Sequence, residues 1–137
     1  MALQITNQAD YATRALLYLA KNSPDRLTPS NVIAEAMNIS HMFLSRINSL
    51  LTMAGLINTR RGAGGGIILA KPADEISMLD IITAVDGPIA LRRGNSDPRC
   101  CHKGDKCPIF QVWDRTSEII AEELKNVSLQ DLVDRCS

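Results

Sequence analysis

Four glycines in five positions, Gly62, Gly64, Gly65 and Gly66, lie between two short segments, residues 56–61 and 67–70, that carry Leu56, Ile57, Ile67, Ile68 and Leu69. So dense a glycine tract between strand formers reads as a tight hairpin, because glycine takes positive φ without steric cost and brings no side chain that must be packed. The lack of side chains also lets the backbone approach a phosphate or the wall of a groove.

The sequence before the hairpin is helical in period. Ala12, Ala15, Leu16, Leu19 and Ala20 recur at three and four within residues 6–22, the spacing of one helix face, and Ser23-Pro24-Asp25 ends that run. Thr28 followed by Pro29 reads as the start of a short second helix, with Val32, Ile33 and Ala36 turned inward. Asn38-Ile39-Ser40 is a three-residue break, and Ser40 is placed to cap a third helix. Phe43, Leu44, Ile47, Leu50, Leu51 and Ala54 form its inner face, and Gly55 stops it. Two helices joined by so short a turn make a helix-turn-helix, and the hairpin behind them makes it winged.

Beyond the hairpin, Ser77 and Asp80 form a capping box for a helix with Leu79, Ile81, Ile82 and Val85, ended by Gly87-Pro88. Residues 94–107 are polar and aperiodic, a loop. Pro108 opens a long helix to about residue 126, with Ile109, Val112, Trp113, Thr116, Ile119, Ile120 and Leu124 on one stripe. Ser128 and Asp131 cap a last short helix with Leu129, Leu132 and Val133. The expected fold class is mainly α with a small β-hairpin wing: a winged helix-turn-helix plus a long dimerisation helix. The expected division is 1–87 for DNA binding, 88–107 for a cysteine-bearing sensor loop, and 108–137 for the dimerisation and C-terminal helices. A helix so apolar on one face needs a partner, and the same helix of a second copy is the natural one, since C2 dimers are the commonest oligomers.

Size and charge narrow the function. With 137 residues, 45% hydrophobic and 22% charged, the chain can fold as one domain but not as a multidomain enzyme. No apolar run approaches the roughly 20 residues of a membrane span, and the amino terminus shows no secretory signal, so a cytoplasmic protein is expected. Net charge is zero, yet residues 1–72 carry +4 and the remainder −4. No acidic residue stands between Glu35 and Asp74, whereas Arg46, Arg60, Arg61 and Lys71 fall in that window. One surface is therefore locally positive, as binding to a polyanion requires.

On this reading double-stranded DNA is the partner, contacted by Thr28, Ser40, His41, Ser45, Arg46 and Asn48 in the helix-turn-helix and by Arg60, Arg61, Gly64 and Gly65 in the wing. The guanidinium fork of Arg46 matches guanine O6 and N7, Arg60 and Arg61 suit phosphate or a narrow minor groove, and His41 suits a phosphate or solvent. The bland alternatives are a solvated helix face and a strand edge kept soluble by charge. No nucleophile–base pair or paired-carboxylate site is present, so no catalysis is expected.

Cys100, Cys101, Cys107 and Cys136 complete the inventory. Three cysteines within eight positions of an intracellular chain point to metal or redox chemistry before structural disulfides. An iron-sulfur cluster, a zinc site, a redox-switch disulfide and idle thiols all remain open, and Cys136 reads as a bystander near the terminus.

The order of these elements resembles the bacterial winged helix-turn-helix transcription regulators of the IscR, NsrR and CymR family. The resemblance covers nearly the whole chain. It rests on residues 5–14, the wing from Arg60 to Gly66, Leu69-Ala70-Lys71-Pro72, the helix between Ile76-Ser77 and Val85-Asp86-Gly87, and Gly104-Asp105-Lys106-Cys107. It implies a DNA-binding homodimer, with repression the expected sign. The recognition helix would enter the major groove, the wing the minor groove, and residues 108–126 would dimerise. Several relatives hold an iron-sulfur cluster through three cysteines before the long helix, and the resemblance therefore implies Cys107 as a metal ligand together with Cys101 or Cys100, or both, and with Asp10, in one relative's position, or His102 as a fourth. The spacing from Cys101 to Cys107 is that of the family; six positions before Cys101 stands Asn95, and Cys100 is additional. Cluster assembly, loss or redox change would then alter operator affinity by shifting the start of the dimer helix. The alternatives are a cofactor-free regulator of the CymR kind controlled by a partner protein, and a zinc- or redox-handling protein using the winged fold for protein contacts.

Overall fold

A capped helix begins the fold. Thr6 accepts a hydrogen bond from the Ala9 amide (3.0 Å) and donates to the Asp86 carboxylate (2.6 Å), fixing the start of α1, Asn7–Asn22, against a helix end eighty residues away. The computed structural model describes residues 3–91 and 107–136. In chain order α1 is followed by α2 (Ser30–Met37), α3 (His41–Met53), β1 (Ile57–Arg60), β2 (Gly66–Leu69), a 3-10 turn at Ala73–Glu75, α4 (Met78–Asp86), α5 (Pro108–Lys125) and α6 (Leu129–Arg135).

The three-residue turn is present. Asn38 takes the left-handed conformation (φ 55°, ψ 49°) that its short polar side chain tolerates, and the Ser40 hydroxyl accepts from the Phe43 amide at 3.1 Å. The hairpin pairs Ile57 with Leu69 and Arg60 with Gly66 in antiparallel register. Thr28 adds a single bridge on the other edge of β2: its amide donates to the Ile67 carbonyl (2.9 Å) and its carbonyl accepts from the Ile67 amide (2.8 Å). The wing is thereby tied to the segment that opens α2. Gly66, at φ +149°, allows this, because a Cβ there would overlap the Thr28 carbonyl.

One core joins Leu16 and Leu19 of α1, Ile33 of α2, Leu44, Ile47 and Leu51 of α3, Ile57 and Ile67 of the wing, Ile81 of α4 and Leu129 of α6. Both capping boxes form, at Ser77 with Asp80 and at Ser128 with Asp131. Residues 76–78 pair with residues 127–129, through Met78 N to Val127 O (2.9 Å) and Leu129 N to Ile76 O (2.7 Å). Leu129 of the last helix thereby joins the core of the winged unit.

Some expected inward positions are not inward. Val32 and Ala36 are exposed, and Ile33 and Ala34 fill the place instead; α2 begins two residues after Thr28, which turns its face. Ala54 lies past the end of α3 and is exposed. On α5 only Ser117 is buried, accepting from the Leu91 amide (2.9 Å). Thr116, Ile120 and Leu124 are half-buried, while Ile109, Val112, Trp113 and Ile119 are between 42% and 58% exposed.

Candidate nucleic-acid interface

The helix-turn-helix and the hairpin enclose an open groove of about 700 Å³. Ser45, Asn48, Ser49, Thr52 and Met53 of α3 form one wall, Pro29, Ser30 and Asn31 at the head of α2 close one end, and Thr59, Arg60, Arg61, Gly62, Gly65 and Gly66 form the wing side. Among the described residues its ionic side chains are the two arginines, and no carboxylate lines it. Hydroxyls, amides, backbone amides freed by glycine and guanidinium groups are the donor set that phosphate oxygens and base edges accept from.

Local structure sets each wall. The period of α3 turns Leu44, Ile47 and Leu51 into the core, so Ser45, Arg46, Ser49 and Thr52 emerge opposite them and are exposed. Ser49 donates to the Ser45 carbonyl (3.1 Å) and Thr52 to the Asn48 carbonyl (2.7 Å), which leaves each hydroxyl oxygen free to accept. At the wing tip Gly64 holds φ +77° with open space around it, so the tip is thin enough to enter a groove.

Of the residues expected at a DNA surface, Ser45, Arg60 and Arg61 are exposed and line the groove, Gly65 is half-exposed on it, and Ser40, His41, Arg46 and Gly64 are exposed but do not line it. Two are placed otherwise. Thr28 is 7% exposed, its backbone occupied by Ile67 and its hydroxyl hydrogen-bonded to that of Ser23; its role is to anchor the wing. Asn48 is 9% exposed, at the floor of the groove rather than on the outer face, because the wing and α2 cover that side of α3. Ser30, Asn31 and Met53 also line the groove. A first helical turn that leads a helix-turn-helix is the signal for the first two, since its amides face outward.

Among the candidate metal ligands, Cys100, Cys101 and His102 lie outside the described residues. Cys107 is fully buried and occupies the capping position of α5, immediately before Pro108. Asp10 lies on the first turn of α1 and accepts from Arg14 at 3.0 Å in a largely exposed pair. Cys136 is exposed and lines a separate cleft with Asp10, Tyr11 and Arg14. Among the described residues no three His, Cys, Asp or Glu side chains are grouped to hold a metal, and no helix is long and apolar enough to cross a membrane.

Comparison with known proteins agrees with this architecture. Residues 5–135 match the family model Rrf2, described as iron-dependent transcriptional regulator. The transcriptional regulator IscR of Yersinia enterocolitica is 35% identical over 131 residues, 96% of this chain and 79% of that protein. Among solved structures, CymR, the global cysteine regulator of B. subtilis, superposes with a TM-score of 0.77 at 29% identity, covering 97% of this chain and 98% of that one. IscR of T. potens gives a TM-score of 0.77 at 25% identity, covering 98% of this chain and 89% of that one. These relatives are regulators and not enzymes. The match over almost every residue, together with the winged helix-turn-helix, places the chain in the Rrf2 family of transcriptional regulators.

Proposed function

We propose that this regulator works as a homodimer that binds operator DNA sequence-specifically, with α3 in the major groove and the wing in the adjacent minor groove. The observation that carries the reading is the groove in which α3, the head of α2 and the wing meet with two arginines and, among the described residues, no carboxylate. Arg46, exposed on α3 and next in sequence to Ser45 of the groove wall, would take a guanine edge; Arg60 and Arg61 would neutralise phosphates.

The second copy is supported by α5. Ile109, Val112, Trp113 and Ile119 are exposed in the protomer, and packing against the same stripe of another copy would withdraw them from water. Two α3 helices would then face one DNA side across a twofold axis, as a palindromic operator requires.

The signal is assigned to the cysteine segment. Cys107 is buried at the capping position of α5, and Cys100 and Cys101 stand seven and six positions before it in the sequence, a set of thiols whose chemistry suits a cluster. With Asp10 or His102 as a fourth donor these residues would hold an iron-sulfur cluster, which supplies a centre that responds to oxygen, iron or redox state. Asp10 would have to exchange its pair with Arg14 to take part. Because Cys107 caps α5, a change at this segment would act at the start of the dimerisation helix and on the spacing of the two α3 helices.

Binding is tested by selecting duplexes from a random library and titrating the best in rising salt. A selected consensus, with the slope of log K against log salt falling in magnitude by about 0.9 in Arg60→Ala, supports the reading; no selected sequence would sink it. The signal is tested by anaerobic purification with iron and sulfide analysis. Iron and sulfide lost in Cys107→Ser support the cluster, and a colourless, iron-free wild type leaves a regulator controlled by its thiols or by a partner protein.

A further inference from the structure

We propose that Met42 reads the 5-methyl group of a thymine in the major groove, an inference that rests on the DNA-binding reading above. Met42 is the second residue of α3 and is 84% exposed. The other large apolar side chains of the first three turns, Phe43, Leu44, Ile47, Leu50 and Leu51, are buried or half-buried. Helical spacing sets Met42 one turn ahead of Ser45 and Arg46, on the face that continues to Ser49 and Met53. Ser45, Ser49 and Met53 line the groove, so Met42 leads the same surface at the end of the helix that meets base edges first in this kind of docking.

An isolated exposed apolar side chain is ordinary on a protein surface; the setting of this one is not. One helical turn on from it stand Ser45 and Arg46, in a stretch with no acidic residue from position 36 to position 73, a charge pattern that suits a polyanion. Of the groups that base pairs expose in the major groove, the thymine methyl is the apolar one. An unbranched, polarisable thioether adapts its rotamers to such a methyl and excludes water from it. With Arg46 one turn further on the same face, the expected half-site pairs a thymine read by Met42 with a nearby guanine read by Arg46.

The test removes the methyl groups one at a time. Duplexes selected by the wild-type chain are resynthesised with each thymine singly replaced by uracil. One replacement per half-site weakens wild-type binding about fourfold, the worth of one methyl withdrawn from water, and the same replacement leaves the affinity of Met42→Ala unchanged. Since Met42 is so exposed, Met42→Ala keeps the wild-type Tm, which separates a lost contact from a damaged fold. If no thymine shows a penalty that depends on Met42, the assignment is overturned while the DNA reading stands. If the wild-type chain selects no duplex, the DNA reading itself falls and Met42 falls with it.

Discussion

Gly66→Ala tests how the wing is held. Gly66 has φ +149°, a conformation costing an L-residue about 1–3 kcal/mol, and its new Cβ would overlap the Thr28 carbonyl. Relief requires Thr28 to move away, which breaks or stretches the two hydrogen bonds with Ile67 at 2.9 and 2.8 Å. Thr28 and Ile67 are both buried, so each unpaired backbone group costs about 1–3 kcal/mol. The sum is about 3 kcal/mol or more, or roughly 10 °C in Tm for a chain of this size. Gly64→Ala is the control: it is strained at φ +77° but meets open space, and costs about 1 kcal/mol. Thermal unfolding of both variants at one protein concentration reads the difference, and DNA affinity should follow it, with Gly66→Ala weakened more than Gly64→Ala. If Gly66→Ala unfolds within a degree or two of Gly64→Ala, the Thr28 bridge does not hold the wing and the reasoning is wrong.

Three further outcomes are expected. Arg46→Ala should cost about 1–3 kcal/mol of specific binding and relax selection at one base pair without lowering Tm, as measured by anisotropy on wild-type and mismatched duplexes. Replacing Trp113 and Ile119 by Asp should convert a species of twice 15.0 kDa into one of 15.0 kDa in light scattering, with operator affinity lost in parallel; a variant that remains a dimer would move the interface elsewhere. Asp131 titrates below its ordinary value of 3.8, chiefly because the Ser128 amide, and then the Ser128 hydroxyl, hydrogen-bonds to it. A depressed carboxylate stabilises fully above its unfolded pKa and loses that contribution as the pH falls through the folded value. Protection factors of the α6 amides, taken relative to the intrinsic exchange rate at each pH, should therefore fall below about pH 4 in wild type, and already at neutral pH in Asp131→Asn.

Much of this molecule is written in local sequence. The helix-turn-helix follows from the three-residue break with Ser40 as cap, both Ser/Asp capping boxes from their spacing, and the wing from glycines between strand formers. These are short-range effects: a cap, a turn or a helical face is decided by residues three or four apart. The acid-free window from Glu35 to Asp74 is likewise legible as composition, and it points to a locally positive surface on the segment that carries α3 and the wing.

What local pattern does not carry is which neighbour arrives at a given face. Thr28 reads as an exposed helix opener, yet it is buried because Ile67, thirty-nine positions later, takes both of its backbone groups. Asn48 sits on the polar side of its own helix and is buried nonetheless, because α2 and the wing close over that side. The last helix is legible from its Ser128 and Asp131 caps, but not where it goes: it packs into the winged core through Leu129 and the pairing of residues 76–78 with 127–129. Sequence by itself determined the elements, their caps and the charge of the reading surface, since those depend on residues close in the chain. Tertiary structure alone decided which polar residues face outward and which terminus completes the core, because burial is set by whichever distant segment packs there.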